Sequence, residues 1–145
     1  MKKIKLILDV FHEGVIEELH LENKDLNFKI ECKYLAEIIN ENYTWFYGVL
    51  KNVRRFCFQP WDDEDNVITN IENIKELKPD ILGVDMSEEE FVKIYSNCNS
   101  VYGGGNIIID ANDIRVFDED FREMGMEELL NLSDKYWAMV HGAEG

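Results

Sequence analysis

Between Leu26 and Glu31 every second residue is apolar: Leu26, Phe28 and Ile30 alternate with Asn27, Lys29 and Glu31. A period of two sends the two sets to opposite faces of a strand, so this segment requires a sheet with one packed and one solvated face. Its neighbours answer the same requirement. Val15 to Glu22 interleaves Ile16, Leu19 and Leu21 with acids, and Asn23-Lys24-Asp25 supplies the turn chemistry for a hairpin between the two. Ile4 to Val10 is expected as a strand preceding both, followed by the turn Phe11-His12-Glu13-Gly14, in which Gly14 would permit a positive φ.

Further along, Tyr34, Leu35, Ile38 and Ile39 recur at helical spacing and predict a brief helix. Tyr43 to Phe58 is rich in aromatics and valine, which favours one long strand bent at Gly48. Phe46, Val49, Leu50, Val53 and Cys57 would equally line one face of a helix. Val67 to Ile74 reads as another short strand. In the 87–99 region Ser87 and Glu90 fit a capping box and Phe91, Ile94, Tyr95 and Cys98 fall at helical spacing, yet Val92 and Ile94 suit a strand, which is preferred. Gly103-Gly104-Gly105-Asn106 reads as a turn into Ile107 to Asp110. Ala111-Asn112-Asp113 then separates that run from Ile114 to Phe117, as a hairpin or a bulged strand. Met126, Leu129, Leu130, Trp137 and Val140 share a helical face, with Glu127 and Glu128 at its positive end and Gly142 where a C-cap would sit. The expected fold class is α+β, a predominantly antiparallel sheet with a C-terminal helix, as one domain over residues 1–145.

Apolar residues are 46% of the chain, enough for a core, and two prolines with no Ser/Gly-rich stretch leave no linker. The net charge of −15 is unevenly placed. The first 60 residues hold nine bases and nine acids, so residues 61–145, with 21 acids and six bases, carry the whole excess. Folded into one continuous negative surface, that half would repel nucleic acid and anionic lipid and steer a basic protein toward itself. Cys32, Cys57 and Cys98 are odd in number and form no CxxC pair, which predicts free thiols in a reducing, cytoplasmic setting rather than a disulfide framework or a zinc site. The apolar stretch Leu6-Ile7-Leu8 is cut by Asp9 and is too short for a signal-peptide core.

The strongest interaction candidate is Trp61-Asp62-Asp63-Glu64-Asp65. Four consecutive acids repel one another until a basic partner neutralises them, and Trp61 beside them is an amphipathic anchor of the kind interfaces use. The same run reads more simply as a solvated loop. As a calcium loop it fails, because Val67 and Asn73 stand where glycine and the closing glutamate belong. His12 and Glu13 are a candidate polar site, an imidazole beside a carboxylate, but neighbours on a strand point to opposite faces and would need the turn to bring them together. Gly103 to Gly105 lacks the later glycine of a dinucleotide fingerprint, since Ile108 stands there. No local signature marks a catalytic residue, a metal ligand or a cofactor site.

The opening His12-Glu13-Gly14-Val15-Ile16 after an apolar run, the aromatic Phe46-Tyr47-Gly48-Val49, and Gly105-Asn106-Ile107-Ile108-Ile109-Asp110-Ala111 followed by Ile114-Arg115-Val116 resemble small uncharacterised bacterial β-rich domains with a His-acid-Gly turn. Some of those are grouped with immunity proteins of polymorphic toxin systems. The resemblance covers roughly the first 60 residues and 103–118, and it departs at Glu13, where the usual turn has Asp. It implies a β-rich fold and carries over no functional residue. The expectation is therefore a non-enzymatic domain that binds a basic protein, of the immunity-inhibitor type, with no cofactor, nucleic acid or membrane partner and the oligomeric state open. A small enzyme assembled from distant residues, or a structural subunit, are the alternatives.

Overall fold

The computed structural model describes residues 1–87, 90–98 and 103–144. The chain opens with a helix, α1 (Lys2–Val10), not the expected strand. Ile4, Ile7, Leu8 and Phe11 are all buried at the i, i+3, i+4, i+7 spacing, and Lys5 pairs with Asp9 along the outer side. Leu6 and Val10 made an alternating pattern equally available, and the helix prevails because it buries Ile7 and Phe11 together with Ile4 and Leu8, whereas a strand would send Ile7 and Phe11 to the opposite face.

β1 (Val15–Glu22) and β2 (Asp25–Glu31) form the predicted hairpin. A bulge between Glu17 and His20, with Glu18 at φ 54°, keeps both Ile16 and Leu19 inside and turns Leu21 out to solvent. The brief helix α2 (Lys33–Ile39) follows as expected. The predicted long strand is two, β3 (Trp45–Lys51) and β4 (Arg55–Pro60), and the bend falls at Asn52, φ 51°, rather than at Gly48. Gly48 sits inside β3, opposite Phe28, whose ring atoms come within 2.5 Å of where a Cβ would stand.

Residues 67–74 do not form the expected strand. Ile68 alone bridges to Phe58, after which the Asn70 side chain accepts from the Asn73 N–H and starts α3 (Ile71–Leu77), with Ile74 and Leu77 turned inward. β5 (Gly83–Ser87) and β6 (Phe91–Asn97) pair with each other, the Glu90 N–H donating to Ser87 O in the turn; Asn99 lies outside the described residues. The alternation of Val92 and Ile94 decides for strand. β7 (Gly104–Asp110) includes two of the three glycines expected in a turn, and β8 (Asp113–Phe117) follows it.

β7 and β8 are the bulged-strand alternative, not a hairpin. Both pair antiparallel with the β3–β4 stretch, β8 with β3 and β7 with β4, and three residues at 52–54 face two at 111–112 across the corner. One bent ribbon therefore passes through both sheets, β1-β2-β3-β8-β9 with β9 (Glu123–Met124), and β4-β7-β6-β5. A second seam closes the far side, where Ile16 N–H donates to Pro79 O and Ile81 N–H to Gly14 O, while Leu82 N–H reaches Tyr95 O on β6. The hydrogen-bonded path thus returns to β1, which leaves the sheets curled around one core. Leu8, Ile16, Leu19, Phe28, Leu50, Phe56, Ile94 and Ile109 meet there, from α1 and both sheets. α4 (Met126–Glu144) is the predicted terminal helix, with two corrections: it runs on through Gly142, and it buries Leu129 and Leu132 while Met126 and Trp137 stay exposed.

Candidate functional site

Trp61 leaves the end of β4 and is pinned on three sides. Its N–H donates to Gly104 O at 3.2 Å, its indole Nε1 donates to Asn106 Oδ1 at 2.9 Å, and its ring occupies the space a Gly104 side chain would take. This is the reason for a glycine at 104. The ring is nevertheless 42% exposed. The turn beyond it is tied by Asn66 N–H to Asp63 O and by Gln59 Nε2 to Glu64 O, and Asp62, Asp63, Glu64 and Asp65 all lie exposed. Among the described residues none of these four carboxylates has an ion pair. The local run of the sequence is thus brought together as an aromatic plate beside four uncompensated charges.

Part of the acidic excess of residues 61–145 is neutralised by ion pairs within the fold. Asp110, Asp113 and Glu123 are tied to Arg54, Lys3 and Arg115, and Asp118 and Glu128 to Arg122. Glu119 and Asp120 sit at the β3 end of the bent ribbon, where Glu119 accepts from the N–H groups of Thr44 and Trp45 and Asp120 from the Tyr43 hydroxyl. Asp62–Asp65 follow the β4 end, the opposite one. These two acidic turns thus lie at opposite ends of the ribbon.

His12 and Glu13 lie on the turn after α1, not between two strands. Glu13 itself takes the positive φ, 66°, and its N–H donates to Ile81 O; Gly14 is required for space, since a Cβ there would meet Ile30 at 2.8 Å. The His12 contact is through its backbone carbonyl, which accepts from the Tyr34 hydroxyl, and no side-chain bond among the described residues joins it to Glu13. Nearby Cys32 is buried, which pushes its thiol up to about 11, and Tyr34 is likewise raised by burial. A thiol so protonated is no nucleophile near neutrality.

A second feature was not legible in the sequence. The outer face of β2, β3 and β8 carries Lys29, Trp45, Tyr47, Val49 and Phe117, and Phe121 is laid over it from the following loop. Phe121 is 66% exposed, sits at φ 61°, and stacks on Tyr47 with centroids 4.3 Å apart and planes at 16°. A left-handed backbone costs a residue with a side chain about 1–2 kcal/mol, so the loop must hold it there. Asp118, 4% exposed, does so: its Oδ1 accepts from the N–H groups of Asp120 and Arg122, and its own N–H donates to Arg122 O. Arg122 in turn reaches both Glu128 oxygens at the start of α4.

The result is a cleft of about 390 Å³ floored by Phe28 and the Gly48 backbone, walled by Tyr47, Phe117 and Phe121, and edged by Glu18, Asn27 and Lys29. Lys29 Nζ lies 4.3 Å from the Trp45 ring centroid and 3.2 Å from Glu18. The one local signal was a phenylalanine inside the charged run Asp118–Glu123.

No group of three or more His, Cys, Asp or Glu able to hold a metal ion occurs among the described residues, and no helix there is long and apolar enough to cross a membrane. No family model matches the chain, and searches of curated proteins and of solved structures find no match.

Proposed function

We propose that this chain is a non-enzymatic binding domain for a basic protein, of the kind an immunity-type inhibitor of a basic toxin would be. The single observation that carries it is the Trp61 turn: an aromatic plate fixed by Gly104 and Asn106 beside four exposed carboxylates that have no ion pair among the described residues. Arginine and lysine on a partner would relieve that repulsion, and the already ordered Trp61 supplies apolar contact at little entropic cost. With several acids of the C-terminal half already tied to bases, the proposed attraction is assigned to this turn rather than to that whole half.

The test is capture from the native cytoplasm on the immobilised full chain, in parallel with a variant combining Asp62→Asn, Asp63→Asn, Glu64→Gln and Asp65→Asn. The expected partner is basic, is lost by the variant, and associates more slowly as salt rises. A partner that is itself acidic, or whose association ignores both ionic strength and the four substitutions, would overturn the proposal.

A further inference from the structure

The cleft under Phe121 is a built feature rather than a surface irregularity. A nearly buried carboxylate, Asp118, organises a loop whose effect is to hold an exposed phenylalanine, in a backbone conformation it disfavours, flat against Tyr47. Opposite this wall the β1 bulge turns Glu18 outward to the cleft's edge.

The charges around it select the occupant. Lys29, Lys51 and Arg115, the bases on this face of β2, β3 and β8, are each ion-paired, to Glu18, Asp25 and Glu123, so these three pairs leave no net charge. Glu31, beside Trp45 in the sheet register, and Glu119 beyond it have no ion pair among the described residues. An anion would be repelled by this edge, and a cation attracted. Flat aromatic walls discriminate further among cations. A guanidinium is planar, weakly hydrated, stacks on rings and presents a fork of N–H donors to a carboxylate, whereas an ammonium is a compact and strongly hydrated point charge. Lys29, lodged over Trp45 and tied to Glu18, shows the geometry in which this face already receives a cation.

We infer that the cleft formed by Tyr47, Phe117 and Phe121 is an arginine pocket, which takes the side chain of an arginine presented by a basic protein, its plane against the aromatic wall and its N–H groups sharing Glu18 with Lys29. This rests on the reading of the chain as a binder of a basic protein, but it uses a surface separate from the Trp61 turn.

The probe is a blocked glycine-flanked arginine peptide, titrated into the full chain and followed by the ring resonances of Phe and Tyr. Saturable shifts at Phe121 and Tyr47 are expected, with the citrulline peptide, which keeps the shape and loses the charge, weaker by about tenfold and the lysine peptide between them. Phe121→Gly removes the wall while suiting the positive φ, so it should fold at least as stably and lose the shifts. Glu18→Gln should weaken them, and the neutralised 62–65 variant should leave them unchanged, which separates this pocket from the turn. No saturable shift at about 10 mM peptide, an equal response to citrulline, or shifts that survive Phe121→Gly would overturn the pocket while leaving the Trp61 turn to its own test.

Discussion

The Trp61 indole N–H donates to Asn106 Oδ1 at 2.9 Å, which couples the acidic turn to the middle of β7. Asn106→Ala removes that acceptor without changing any charge. The exposed hydrogen bond is worth only about 0.5–1.5 kcal/mol, so the fold should persist. Trp61 should gain rotational freedom, seen as lower steady-state fluorescence anisotropy, and partner capture should weaken even though all four carboxylates remain. Capture at full strength by a Trp61 that has become mobile would mean that its fixed pose contributes nothing.

Gly48 and Phe28 face each other across β2 and β3, and the Phe28 ring fills the space above the glycine. Gly48→Ala would set a Cβ about 2.5 Å from that ring. Phe28 is itself buried, so it has little room to retreat, and overpacking of this kind costs about 1–3 kcal/mol. Thermal or urea unfolding should show the loss. Pairing Gly48→Ala with Phe28→Leu should recover part of it.

How much of this molecule could be read in advance follows from how local each signal is. β2 was legible because Leu26, Phe28 and Ile30 point one way and their neighbours the other, and α4 because its periodicity runs for several turns. α1 was misread because Ile4-Leu6-Leu8-Val10 satisfies a period of two as well as Ile4-Ile7-Leu8-Phe11 satisfies 3.6, and only the tertiary burial of the second set decides. The bent ribbon was half legible: each strand showed, but the corner depends on Asn52 adopting a left-handed backbone, which composition does not announce. Trp61 and its acids are contiguous in sequence, so their proximity needs no tertiary information. The arginine pocket draws on β1, β2, β3, β8 and a loop, so Glu18, Lys29, Tyr47 and Phe121 have no shared spacing to detect.

Cys32 offers a chemical check on the core. Burial pushes its thiol up to about 11, and Cys57 is buried as well. In the native state near neutral pH, a thiol reagent should therefore leave Cys32 and Cys57 unmodified until the chain unfolds, when both should react at rates typical of free cysteine. Rapid native-state labelling of Cys32, mapped by mass spectrometry, would contradict the packing of α2 against the sheet.

Two carboxylates tie the ribbon's corner and the N-terminal helix to the sheet, and their pairing makes part of the fold's stability depend on pH. Asp25 accepts from Lys51 at 2.6 Å and from the Asn52 N–H at 3.0 Å, right at the bend, and these bonds hold its carboxyl below the usual 3.8. Asp113 is lowered in the same way, chiefly by Lys3 on α1 at 2.7 Å. A carboxylate whose folded value is depressed binds protons less readily in the native state than in the unfolded chain. Its contribution is therefore complete above the unfolded value and disappears as pH falls through the folded one. Both pairs are solvent-exposed, so each effect is modest and screened by salt. Asp25→Asn and Asp113→Asn should melt a few degrees below the parent at pH 7 in low salt. That gap should close as the pH is taken below the ordinary carboxylate range, where the parent's own groups are protonated. A gap that stays constant from neutral to acid pH would show that the charges at these two positions do not stabilise the fold.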